Sequence, residues 1–323
     1  MIAVHLESGQ VLLRETAMPA RPPGFALIRM LIAGICNTDL ELQRGYYGFS
    51  GVPGHEFVGE VVASDSSHLV GKRVVGEINL ACGRCEFCHI GLGRHCLNRT
   101  VLGIVKHAGA FAEYLILPEN NLHAIPDEIA SERAVFVEPL AAACEILDQV
   151  QIPRAAPVAV LGDGKLGLLI AQILRAHGVQ VTLYGHHERK LEIARKIGVQ
   201  TSAMEERPHA TFPLVVECTG SSAGLAQAIA MVRARGTVAM KSTVHDSIAM
   251  DVASVIVNEI TLVGSRCGRF EPAIEMLRAK SVDVTQMLSA EYPLEQAPEA
   301  FHEAARPGVL KVLLRNQPGC KTS

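Results

Sequence analysis

Apolar and polar positions alternate in short runs through the first third of the chain. Phe25–Ala33, Phe57–Ala63 and Phe111–Leu117 are such runs, bounded by turn residues such as Pro22-Pro23-Gly24. A period of two predicts strands with one buried face, and their close spacing predicts a barrel or sandwich. Near Ile129 the pattern changes. Ala130–Val150 is Ala-rich with helical periodicity, and after Pro153 and Pro157 strands and helices alternate. Val158–Leu161 reads as a strand, Leu166 to His177 as a helix, Gln180–Leu183 as a strand, and Arg189–Ile197 as a helix stopped by Gly198. Leu214–Cys218, Thr237–Lys241 and Ile260–Val263 continue the strands, with a helix over Ala223–Arg233 between the first two. Such alternation predicts a parallel sheet covered by helices, hence an α/β fold. Pro272–Arg278 then reads as a helix and Val309–Leu314 as a strand.

Composition narrows the function classes. The 323 residues suggest two domains at about 150 residues each, and a 49% hydrophobic content suffices for two cores. With 30 Lys+Arg against 33 Asp+Glu the net charge is −3, which excludes binding driven by a basic surface, and with it nucleic acid as a partner. The most apolar stretches, Leu166–Leu174 and Ala134–Leu147, are short or interrupted by Gln172, Glu138 and Glu145, so no membrane partner is expected. Met1 to Arg14 lacks the apolar core of a signal peptide, and the expected compartment is the cytoplasm. Nine cysteines without an export signal argue against a disulfide framework.

Four of those cysteines are clustered. Cys82-x2-Cys85-x2-Cys88-x7-Cys96 can close a tetrahedral Zn²⁺ shell with no open position, which is a structural site. A nucleic-acid zinc ribbon is disfavoured by the flanking Glu77 and Glu86. Farther on, Gly162-Asp163-Gly164-Lys165-Leu166-Gly167 fits G-x-G-x-x-G between an apolar strand and an apolar helix, the context in which that loop binds a dinucleotide. The helix N-terminus offers free N–H groups and a positive dipole end to the pyrophosphate. A more dispersed set, Cys36-Asn37-Thr38-Asp39, Gly54-His55-Glu56-x-x-Gly59 and Glu138-Pro139-Leu140, holds metal-ligand residue types that spacing alone does not join.

In this order, together with Glu217-Cys218-Thr219-Gly220, these segments resemble the zinc-dependent medium-chain dehydrogenase/reductase family over nearly the whole chain. Glu138-Pro139-Leu140 resembles its sorbitol, glucose and threonine dehydrogenase branch. The resemblance implies a Rossmann doubly wound parallel sheet, residues 136–266, inserted into a GroES-like β-barrel catalytic domain built from residues 1–135 and 267–323. It implies two Zn²⁺ per chain. Cys36, His55, Glu56 and Glu138 would serve the catalytic ion, and Cys82, Cys85, Cys88 and Cys96 the structural one. Thr38 would hand the substrate proton outward, and Asp39 would orient His55. The implied reaction is hydride transfer between an alcohol (polyol, sugar or small secondary alcohol) and a nicotinamide coenzyme, in a homodimer or homotetramer. Thr219 and the strand Thr237–Lys241 would line the nicotinamide pocket, and Lys311 would approach the pyrophosphate. Tyr46, Tyr47 and Phe49 are candidate substrate-cleft walls, at least one of them packing within the barrel. A zinc-free quinone or enoyl reductase of the same fold would not need Cys36 and His55, and a silent binding relative would not need the intact glycine loop.

The family's relay histidine is replaced here by Glu41. Its acidic ribose-binding position, counted back from Gly198, falls on Gly185. With no carboxylate at 185 and with His186, His187, Arg189 and Lys190 around it, the site favours NADP over NAD. Glu188, turned inward onto the ribose, would be the NAD alternative.

Overall fold

The computed structural model describes residues 1–153, 155–244 and 247–317, which leaves Cys320 outside the described residues. The chain divides into two units, 1–138 with the chain from Leu288 onward, and 139–287.

The first unit is organised by the strand Phe25–Ile35, in which Ala26, Ile28, Met30 and Ile32 all point into the core. One edge of this strand pairs antiparallel with Glu56–Ala63. The other pairs with Tyr114–Pro118 along its first half and with Lys311–Arg315 along its last turn of pleat. Gly34 therefore lies opposite Glu56 on one side and Leu313 on the other. Arg73–Gly76, Leu122–Ala124 and Leu288–Pro293 complete a seven-stranded sheet. The four cysteines sit on a separate lobe with its own three short strands.

The second unit is a six-stranded, wholly parallel sheet. From edge to edge its order is Gln200–Ala203, Val181–Gly185, Val158–Leu161, Phe212–Glu217, Val232–Met240, Thr261–Gly264. This 3-2-1-4-5-6 order is the doubly wound arrangement whose strand ends form a dinucleotide crevice. The glycine loop leads from the central strand Val158–Leu161 into the helix Lys165–Ala176.

Two expectations change. The single helix expected over Ala130–Val150 is broken into Ser131–Ala134 and Val137–Gln149. The break lets Val135 and Phe136 enter the core and puts Glu138 in a first helical turn. The second domain crossing falls at 287/288 instead of 266/267. The helix Phe270–Arg278 belongs with the parallel sheet, because Gln172 bonds the backbone of Asp283 in both directions (3.0 and 2.8 Å) and Cys144 Sγ meets Met276 Sδ at 3.7 Å.

Candidate active site

Cys36 follows the organising strand and caps the helix Asn37–Gln43. Asp39, fully buried at the third position of that helix, turns back so that its Oδ2 accepts the Cys36 N–H at 2.8 Å. Its Oδ1 accepts the Gly54 N–H at 3.2 Å, tying the Cys36 segment to the Gly54-His55-Glu56 segment. Gly54 has φ +98°, and a Cβ there would stand 2.4 Å from the Phe111 ring, so no other residue fits. The ligand atoms of Cys36, His55 and Glu56 consequently lie within 4.8 Å of one another. His55 Nδ1 stands 3.4 Å from Asp39 Oδ1, an electrostatic contact outside hydrogen-bond alignment, which leaves that buried nitrogen without a bonded partner. Burial alone would lower the basicity of His55. The Asp39 carboxylate, and after it Cys36, outweigh that and hold the imidazole well above the ordinary histidine range. A metal ion would displace that proton. One sulfur, one imidazole and one carboxylate form a donor set suited to Zn²⁺ with positions left open.

Glu138 lies half-buried in the first turn of Val137–Gln149, outside the three-residue cluster but close enough to act electrostatically on Lys311. Thr38 is half-buried, its Oγ1 3.8 Å from Cys36 Sγ.

In the cysteine lobe the Sγ–Sγ separations are 3.4 Å (Cys85–Cys88), 3.6 Å (Cys85–Cys96) and 4.0 Å (Cys82–Cys88). Zn–S bonds of about 2.3 Å give a tetrahedron with edges of about 3.8 Å, so the four sulfurs fit the ion. Backbone N–H groups already favour the thiolate at Cys82 and Cys85. That of Arg84, then the contact with Cys96, brings Cys82 down to about 6.

At the glycine loop, Gly162 has φ +112° and lies against Cys218 and Thr219, where a Cβ would stand 2.6 Å from the Cys218 carbonyl. A Cβ on Gly167 would meet the Gly162 carbonyl at 1.8 Å, while Gly164 faces open space. Two glycines thus set the packing, and the third leaves backbone open to a phosphate. Glu217 Oε1 accepts the Thr219 N–H (2.8 Å) and hydroxyl (2.7 Å), and the hydroxyl of Ser242 (3.0 Å), fixing the neighbouring loop.

Family profiles agree with both units. That of the alcohol dehydrogenase GroES-like domain matches residues 22–127, and that of the zinc-binding dehydrogenases matches 166–281. A D-altritol 5-dehydrogenase of Agrobacterium fabrum is 31% identical, covering 95% of this chain and 97% of its own. The chain is a zinc-type medium-chain dehydrogenase. It belongs to the sorbitol and threonine dehydrogenase branch. A sorbitol dehydrogenase of Halalkalibacterium halodurans is 28% identical over 95% of this chain and 96% of its own. A solved zinc-binding dehydrogenase from Sinorhizobium meliloti, bound to NADP, superposes with a TM-score of 0.90 at 28% identity, covering 97% and 98% of the two chains.

Several residues of this dehydrogenase stand elsewhere than the sequence suggested. Lys311, expected near the pyrophosphate, is 1% exposed, and its ammonium is bonded to the Glu56 carboxylate with the Phe136 ring 5.5 Å away. Its strand runs between Leu288–Pro293 and the organising strand, with Gly34 leaving room for the pair, so its charge is spent inside the first unit. Burial would lower its basicity, but Glu56 and Cys36 reverse that and raise it. Glu41 forms a surface pair with Arg44 at 2.6 Å. Glu188 is held by Arg195 at 2.6 Å on its own helix, so it is not turned onto a ribose. Of the three aromatic residues after the first ligand, Tyr47 is 67% exposed, its ring tilted against that of Tyr46 with centroids 4.0 Å apart. Lys241, at the end of the strand expected to line the nicotinamide, is buried and donates to the carbonyls of Ala142 and Arg266 and to Ser265. Ser242 was not singled out, and Glu217 entered only as a member of the Glu217-Cys218-Thr219-Gly220 motif, with no role of its own. A glutamate closing the apolar run Leu214–Glu217 was the available signal.

Proposed function

We propose that this dehydrogenase oxidises a secondary hydroxyl of a polyol or similar small alcohol, with two zinc ions per chain and with NADP in preference to NAD. The observation that carries the reading is the convergence of Cys36, His55 and Glu56 within 4.8 Å beside a half-buried Thr38. Cys36 and His55 would hold the catalytic ion, with Glu56 and Glu138 as the carboxylates available to it. When bound, the two groups supply a Lewis acid and a hydride acceptor. Asp39 keeps His55 in place from the Nδ1 side, leaving Nε2 for the metal. Thr38, at the edge of the cluster, takes the hydroxyl proton of the substrate outward.

The substrate class is supported by the sorbitol and D-altritol dehydrogenases among the relatives. NADP is supported by the cations around Gly185, by the engagement of Glu188 with Arg195, and by the NADP-bound neighbour. A panel of polyols, aldoses, 3-hydroxy amino acids and monohydric secondary alcohols, read by nicotinamide absorbance with each coenzyme, tests the reading. Polyols should give the highest kcat/KM, and no turnover of any alcohol by the zinc-loaded protein would refute it. Glu138→Ala should lower kcat by about 10–100-fold, the scale expected for a group that tunes a metal site, with the lobe zinc and the fold retained. Near-normal turnover would reduce Glu138 to a helix N-terminal charge.

A further inference from the structure

The carboxylate at the tip of the strand Val181–Gly185 does not come from that strand. It is Asp163, from inside the glycine loop. Its Oδ2 accepts the N–H groups of His186 (2.9 Å) and His187 (2.7 Å), and both oxygens approach His187 Nδ1, at 3.1 and 3.0 Å. Lys190 Nζ stands 4.0 Å from its Oδ1. A Cβ on Gly185 would lie 2.5 Å from both Cβ and Oδ2 of Asp163. The loop aspartate therefore fills the space that a side chain at 185 would need, and the two positions cannot both carry a carboxylate in this backbone.

We infer that Asp163 is a positioning residue for the 2′-phosphate of the coenzyme, holding His187 and Lys190 as its receptors and taking no ribose hydroxyl itself. The inference rests on the NADP reading above. A carboxylate has about four lone-pair directions. Two N–H groups and one imidazole occupy three, the Lys190 ammonium stands 4.0 Å from Oδ1 on the remaining side as an ion pair, and the group is only 7% exposed. Little accepting capacity is left for a ribose. Its charge instead fixes the ring of His187. With Nδ1 on Asp163, Nε2 faces the opposite way, and the side chain is 51% exposed. Arg189, exposed beside it, makes no ion pair among the described residues. His186 pairs with Glu205 at 3.1 Å, but both are exposed and the pair is screened by solvent. Oriented donors with anchored cations are what a phosphate dianion requires.

Calorimetric titration of the zinc-loaded protein with adenosine 2′,5′-bisphosphate and with 5′-AMP separates the possibilities. Wild type should bind the bisphosphate at least about tenfold more tightly, as charge-assisted bonds to the extra phosphate demand. In Asp163→Ala that ratio should collapse toward one, with AMP affinity falling far less than bisphosphate affinity. Asp163→Asn, which keeps an acceptor for the two N–H groups but no charge, should also lose most of the ratio, and it serves if the alanine variant does not fold. Asp163→Gly/Gly185→Asp, which clears both the carboxylate and the Cβ that a side chain at 185 would strike, should favour AMP. A wild-type preference for the bisphosphate that survives both single substitutions would overturn the role of Asp163 and leave the NADP reading intact. Equal weakening of both ligands would also overturn it, as a loop defect. A wild type that prefers AMP would overturn the NADP reading and this inference with it.

Discussion

Cys96→Ser should halve the zinc content, from two ions per chain to one, and lower the melting temperature by about 10 °C or more. The lobe has little else to hold it. Its helices Glu86–His89 and Gly93–His95 are single turns, and Ile90, Leu92 and Leu97 face solvent instead of a core. Cys96 is its buried sulfur, taking the Cys82 N–H at 3.4 Å and lying 3.6 Å from Cys85 Sγ. Structural Zn²⁺ in isolated fingers contributes about 10–16 kcal/mol of apparent binding energy, and removing one thiolate forfeits a large part of it. A few kcal/mol suffices for the stated shift, since 1 kcal/mol moves the transition of a 150–250-residue protein by about 2–4 °C. His55→Ala is the complementary variant. It should lose the other ion and nearly all turnover while the lobe stays folded. Metal analysis with calorimetry reads both. Unchanged metal content and melting in Cys96→Ser would mean that the lobe holds no structural zinc.

The parallel sheet was legible because its signals are local. Val158–Leu161 is a strand at the bounds its apolar run suggested, and the glycine loop opens the next helix one residue early. The two ligand clusters were legible as motifs, the cysteine lobe from spacing and the Cys36–His55–Glu56 set only through a family likeness. The rest depended on pairing between distant segments. Nothing near Lys311 in sequence says that its strand lies beside Phe25–Ile35, which is what brings its ammonium to Glu56. A signal did exist. Lysine within Leu310-Lys311-Val312-Leu313-Leu314 and glutamate within His55-Glu56-Phe57-Val58 are charges inside buried strands, and such charges require partners. Asp163 was hidden similarly. A loop residue reaching the tip of a neighbouring strand cannot be seen from the motif, and Gly185 looked empty when its space was already taken.

Lys311→Met should destabilise the metal-free protein by about 3–5 kcal/mol, the usual loss when one member of a buried ion pair is removed. Lys311 and Glu56 are each 1% exposed, so the orphaned carboxylate cannot recover hydration. The expected fall in melting temperature is on the order of 10 °C. Two further variants apportion it. Lys311→Met/Glu56→Gln, which removes the charge as well as its partner, should regain most of the loss, because the penalty belongs to the unpaired carboxylate more than to the missing bond. Glu56→Gln alone should cost about as much as Lys311→Met, since it leaves the ammonium buried without its anion. Zinc then distinguishes a purely structural pair from one that tunes the metal site. Glu56 shares its cluster with Cys36 and His55, so in the loaded protein the carboxylate of Lys311→Met has a second cation to turn to. The variant should therefore gain more stability from zinc than wild type does, and by linkage it should bind the catalytic ion more tightly. Melting curves with the catalytic site stripped and refilled, together with zinc competition against a chelator, measure both quantities. Equal stabilisation of variant and wild type by zinc would mean that Glu56 answers to Lys311 alone, and the carboxylate ligand would have to be Glu138.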